Sequence, residues 1–139
     1  MNRDEILRQL AQAFLSFKIH KKFWEEIRDL LASDLNGKEK QFFKSMSTQL
    51  MLVKTLGRSV DQGGKHEKLK WFGKDIYSIH VKSGQFNIRF LMSFNESDEP
   101  LLLCAFNKRS GKKKTDYANY KGVVEKRLSE MLEEEHNEQ

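Results

Sequence analysis

Between Tyr77 and Phe90 the chain alternates in a way that supports a β-hairpin. Tyr77, Ile79 and Val81 are separated by Ser78, His80 and Lys82, and Phe86, Ile88 and Phe90 by Asn87 and Arg89. Successive side chains of a strand point to opposite faces, so each run has one apolar and one polar side. A two-residue turn at Ser83-Gly84 is the simplest closure. It pairs Lys82 with Gln85, His80 with Asn87 and Ser78 with Arg89, and sets Tyr77 opposite Phe90, Ile79 opposite Ile88 and Val81 opposite Phe86. A one-residue slip would scramble the sorting. The run Leu101 to Phe106 is apolar throughout and is expected to be a central strand buried on both faces.

The rest of the chain is mostly helical in period. Residues 4–13 carry Ile6, Leu7, Leu10 and Ala13 on one side and predict a short N-terminal helix. Leu15, Phe17 and Ile19 alternate with polar residues and predict a strand, unless the helix runs on. A helix is expected over 21–32, with a stripe of Phe23, Trp24, Ile27, Leu30 and Leu31. Asp34 to Gly37 breaks it. A second helix over 38–56 is marked by Phe43, Met46, Leu50 and Val53, and Gly57 stands where a left-handed cap is expected. The short connection implies an antiparallel helix pair. Residues 57–74 read as a glycine-bearing loop, with a brief extended piece at 69–71. A last helix, capped by Thr115, is expected to bury Tyr117, Tyr120, Val124, Leu128 and Met131. The fold class is therefore α+β: a helical hairpin on the apolar face of a small antiparallel sheet, with an added N-terminal helix and a C-terminal helix. Residues 1–139 form one domain, of which 1–13 are an extension and 130–139 an acidic tail.

Charge is unevenly spread. The total is +5 although residues 130–139 hold five negative groups and no lysine or arginine, so residues 1–129 carry +10. Such a body favours a polyanionic partner, or serves solubility alone. Residues 108–114 contribute Lys108, Arg109, Lys112, Lys113 and Lys114. The acidic tail is either a solvated helix end or a cover laid over the basic site. No apolar run reaches the roughly 18 residues that span a bilayer. The first residues lack a secretory pattern, and the single Cys104 suits a reducing compartment, so the cytoplasm is expected. The histidines show no metal-ligand spacing; neither a metal nor another cofactor is expected.

The polar side of the hairpin gathers chemistry. His80, Lys82 and Arg89 are near neighbours there, and the following strand ends in Lys108 and Arg109. Arginine and lysine neutralise charge on a phosphodiester in its transition state, while histidine moves protons near neutral pH. The same alternation is also what an ordinary solvated sheet face requires. Tyr117 is either a core contact of the last helix or a hydroxyl directed at this cleft.

The ordered series Ile76-Tyr77-Ser78-Ile79-His80-Val81, Asn87-Ile88-Arg89-Phe90, Leu101 to Phe106 with Asn107-Lys108-Arg109, and Glu125-Lys126-Arg127-Leu128 resembles the RelE/ParE superfamily of toxins, specifically its HigB-like branch. The resemblance covers about residues 38–132 and departs from the family at Ser78, where glutamate is common, and at His80, where arginine is. It implies the toxin of a type II toxin–antitoxin pair, a metal-independent endoribonuclease that cuts mRNA, often on the ribosome, and is silenced by an adjacent helix-turn-helix antitoxin. In that reading Arg89 stabilises the transition state, His80 is the acid or base, and Lys82, Lys108, Arg109, Lys112, Lys113 and Lys114 hold RNA. The attacking group is the RNA 2′-hydroxyl, which makes DNA inert. A gyrase-binding toxin of the ParE kind, or an inactive RNA- or protein-binding member, would share the fold.

Overall fold

A computed structural model describes residues 3–73, 75–108 and 117–137. In chain order the elements are α1 (Arg3–Ala13), β1 (Lys18–Ile19), α2 (Lys21–Ala32), α3 (Glu39–Leu56), β2 (Glu67–Lys68), β3 (Tyr77–Lys82), β4 (Asn87–Phe94), β5 (Pro100–Asn107) and α4 (Lys121–Asn137), with 3₁₀ turns at Gly57–Gly63, Lys70–Phe72 and Tyr117–Tyr120. The protein is α+β, and its five strands form one sheet in the order β1-β5-β4-β3-β2. From β5 to β2 every pairing is antiparallel; β1 joins β5 in parallel at the edge.

The hairpin sorts its faces as expected but closes differently. Lys82 pairs with Asn87, His80 with Arg89, Ile79 with Phe90 and Val81 with Ile88. The connection is thus four residues, Ser83 to Phe86, held by the Ser83 N–H donating to the Phe86 carbonyl at 3.0 Å. A shift of two residues preserves every face, because the strand period is two. It removes Phe86 from the strand yet leaves it buried, and it places His80 directly opposite Arg89.

One face of the sheet packs against three helices. α2 lies over β5, α3 over β3, and α1 rests on α3. Phe23, Ile27 and Leu31 form the buried edge of α2, and Phe42, Met46, Leu50 and Val53 that of α3. Phe42, rather than Phe43, is the fully buried member; Phe43 packs at the margin. Phe23 and Phe42 meet Phe90 edge-on, with centroids 5.0 and 6.4 Å away. His20 caps α2 by accepting the Lys22 N–H at Nδ1, 3.1 Å away. Gly57 ends α3 at φ 55°, ψ −132°, a positive φ but not the left-handed helical cap expected. The strand expected over 15–19 shortens to Lys18–Ile19, and Leu15 is 84 % exposed. The extended piece near 69–71 is instead β2 at 67–68, followed by a 3₁₀ turn.

The opposite face is covered too. Leu91, Leu101, Leu103, Cys104 and Phe106 form a second core with Tyr117, Val124, Leu128 and Met131. Leu91 faces Cys104 while Met92 faces Leu102, so Leu103 is an extra residue and the chain bulges there. The bulge lets Leu103 and Cys104 both serve this second core. α4 is tied down by Arg127, whose Nη1 donates to Glu26 at 2.9 Å and to the Leu103 carbonyl at 2.8 Å. Among the described residues, the acidic end of α4 is engaged at the far edge of the sheet. Glu130 meets His20 and Glu135 meets Lys18, both at 3.0 Å, at the β1 edge, across the sheet from β2. The expected cap Thr115 lies outside the described residues, and α4 itself begins at Lys121 after the 3₁₀ turn.

Candidate functional site

The site lies where β2 meets β3. Glu67 pairs with Ser78, and His80 with Arg89. Residues directly opposite share a face, so Glu67, Ser78, His80 and Arg89 all project on the side away from α2 and α3. The Glu67 carboxylate is their meeting point. Its Oε1 lies 2.8 Å from His80 Nε2, 3.2 Å from the Tyr117 hydroxyl, which donates to it, and 3.9 Å from Arg89 Nη1. Tyr117 is linked onward to the Ser78 hydroxyl at 2.8 Å. It is therefore both a second-core ring, edge-on to Phe106, and a hydroxyl directed at the site.

Arg89 is not on an open face. Its side chain is only 8 % exposed, and Nε and Nη1 are buried without a hydrogen-bond partner among the described residues. A guanidinium so placed pays desolvation without full compensation. A cavity of about 550 Å³ is lined by His80, the residue across the ladder from Arg89, with Gln49, Gly64, Lys65, His66 and Lys82; Arg89 itself does not line it. Lys108 sits over the Tyr117 ring, with its ammonium 4.7 Å from the centroid. Arg109, Lys112, Lys113 and Lys114 lie outside the described residues.

Two histidines share this wall. His66 Nδ1 accepts the His80 backbone N–H at 2.9 Å, which leaves Nε2 as the protonated nitrogen that donates to Gln49 Oε1 at 2.8 Å. Both nitrogens of His66 are thus committed, and burial, with Lys65 and Arg89 nearby, lowers its pKa. His80 is pushed down to about 4, first by burial and then by the Arg89 charge, against a smaller upward pull from Glu67. Its imidazole is neutral at pH 7.

These depressed values predict how stability follows pH. A histidine takes up a proton near 6.5 when unfolded, but His80 does so only near 4 in the fold. The unfolded chain binds more protons between those values, so stability is fully present above pH 6.5 and is lost progressively down to about pH 4. Thermal melts across that range should fall towards acid, and His80→Gln should flatten part of the slope.

Glu67 and His66 were not foreseen as site residues. Both fall in a segment whose paired strand is two residues long, too short for any period to mark. Among the described residues no group of three or more His, Cys, Asp or Glu is placed to hold a metal ion, and no helix is long and apolar enough to cross a membrane. No family model, no curated protein and no solved structure matches this chain.

Proposed function

We propose that the chain is an endoribonuclease acting in the cytoplasm as the toxin of a toxin–antitoxin pair, of the RelE/HigB-like type. The observation that carries the reading is Arg89: a nearly buried guanidinium with two nitrogens that have no hydrogen-bond partner among the described residues, directly across the ladder from a neutral histidine. That pairing suits a phosphodiester. His80 takes the proton of the RNA 2′-hydroxyl, the 2′-oxygen attacks phosphorus, and the bond to the 5′-oxygen breaks. The leaving oxygen takes a proton from Lys82 or from water, giving a 2′,3′-cyclic phosphate and a 5′-hydroxyl. Arg89 stabilises the charge that builds on the phosphoryl oxygens. Lys82, Lys65 and Lys108 supply positive charge for the RNA backbone, with Arg109, Lys112, Lys113 and Lys114 contributing from the segment after β5. The partner that silences the protein is an adjacent helix-turn-helix antitoxin, and the substrate is mRNA, free or on the ribosome.

The test is induction of the chain with and without the neighbouring reading frame, followed by primer-extension mapping of cellular mRNA. Purified protein is then incubated with an RNA oligonucleotide and its all-deoxy counterpart, with and without EDTA. Growth arrest with mapped cuts, cyclic-phosphate ends and an inert DNA strand is the expected result. Growth arrest with intact RNA and inhibited supercoiling would move the gyrase reading forward. Harmless expression would leave a binding module.

A further inference from the structure

We propose that Glu67 is a positioning residue that fixes His80 as its Nε2–H tautomer and thereby leaves Nδ1 as the proton acceptor at the cavity. The inference rests on the ribonuclease reading for its use, but not for its geometry. A carboxylate only accepts hydrogen bonds, so the 2.8 Å contact between Glu67 Oε1 and His80 Nε2 requires the proton on Nε2. Nδ1 then carries a lone pair and has no hydrogen-bond partner among the described residues, while the ring lines the cavity beside His66 and Lys82.

The surroundings hold this arrangement from several sides. His66 accepts the His80 backbone N–H and stands edge-on to the His80 ring, centroids 5.7 Å apart, which restrains the ring's position. His66 cannot itself exchange the proton, since its own two nitrogens are engaged. Tyr117 donates to the same Glu67 oxygen, and its link to Ser78 fixes the hydroxyl, so the carboxylate is held by two donors with Arg89 behind them. Burial, and after it the Arg89 charge, disfavours a second proton on the ring, which keeps Nδ1 bare. The relation is that of a histidine base oriented through its other nitrogen by a carboxylate. Glu67 is 46 % exposed on an edge strand, so its removal leaves the fold intact.

The experiment uses the full chain labelled with ¹⁵N-histidine and long-range ¹H–¹⁵N correlation spectra at neutral pH. Wild-type His80 is expected as a single Nε2–H tautomer, and Glu67→Ala as a mixture of tautomers. RNA cleavage by Glu67→Ala should fall by roughly 10²- to 10⁴-fold, the range for a displaced general base. The acid limb of the pH–rate profile should also move to lower pH, because Glu67 no longer supports the imidazolium. A wild-type His80 protonated on Nδ1, or a Glu67→Ala protein that keeps a single Nε2–H tautomer, overturns the proposal. A wild-type protein that cuts no RNA overturns the ribonuclease reading and the catalytic use of the pair, while the spectra still decide what Glu67 does to His80.

Discussion

Phe90→Ala is expected to destabilise the protein by about 3–5 kcal/mol, the range for truncating a large buried aromatic. Phe90 is fully buried in β4, and it is the ring on which the helical layer converges. Phe23 of α2 and Phe42 of α3 reach it from two helices that are joined to each other by only a short turn. Its loss opens a cavity that neither helix can close alone, because each is also fixed by its own apolar row on a different strand. Domains of this kind hold about 5–15 kcal/mol in all, so the variant should melt far below wild type or fail to accumulate. Leu15→Ser is the control. That side chain is 84 % exposed, and the change should stay within about 0.5 kcal/mol. Chemical denaturation of both variants checks the contrast, and a Phe90→Ala protein as stable as wild type would deny that the two helices share one core.

Much of the fold was legible because periodicity reports which side of an element is apolar. The hairpin faces, the buried run at 101–106 and the stripe of α4 all follow from spacing. Register was another matter. A two-residue and a four-residue connection leave the same residues on the same faces, so alternation could not decide between them. The choice fell to the Ser83–Phe86 hydrogen bond and to the core that receives the Phe86 ring beside Phe42. Phe42 and Phe43 posed the same kind of problem, since spacings of four-four-three and three-four-three are both helical. Only the position of the sheet beneath α3 selects Phe42. For the site, the periodic pattern brought Ser78, His80 and Arg89 to one face, but it could not supply Glu67. That carboxylate arrives through an edge pairing of two residues, 13 positions from His80. Nor could alternation reveal that Arg89 is buried, because a polar side chain reads as solvent-facing until α4 and Tyr117 are known to lie over that side.

The burial of Arg89 shapes the expected result at that position. Arg89→Met should abolish RNA cleavage while leaving the protein as stable as wild type, or more stable. Loss of a donor aimed at transition-state charge typically costs about 10²- to 10³-fold in rate. Arg89→Lys should recover little, since a single ammonium does not reproduce the guanidinium fork. Stability moves the other way. Among the described residues, Arg89 Nε and Nη1 are buried with no hydrogen-bond partner, and the nearest carboxylate oxygen, that of Glu67, is 3.9 Å away. Methionine keeps most of the apolar stem and removes the buried charge, relieving a desolvation cost of order 1–3 kcal/mol. Glu67 is not stranded by the change, because it retains His80 and Tyr117 as partners and is half in solvent. A guanidinium held at a cost to the fold is what a site for an anion requires, and a merely structural arginine would show the opposite pattern. Growth arrest, mapped mRNA cleavage and a thermal melt of Arg89→Met decide between them. A variant that melts well below wild type makes Arg89 a structural ion, and one that remains fully toxic removes Arg89 from the chemistry.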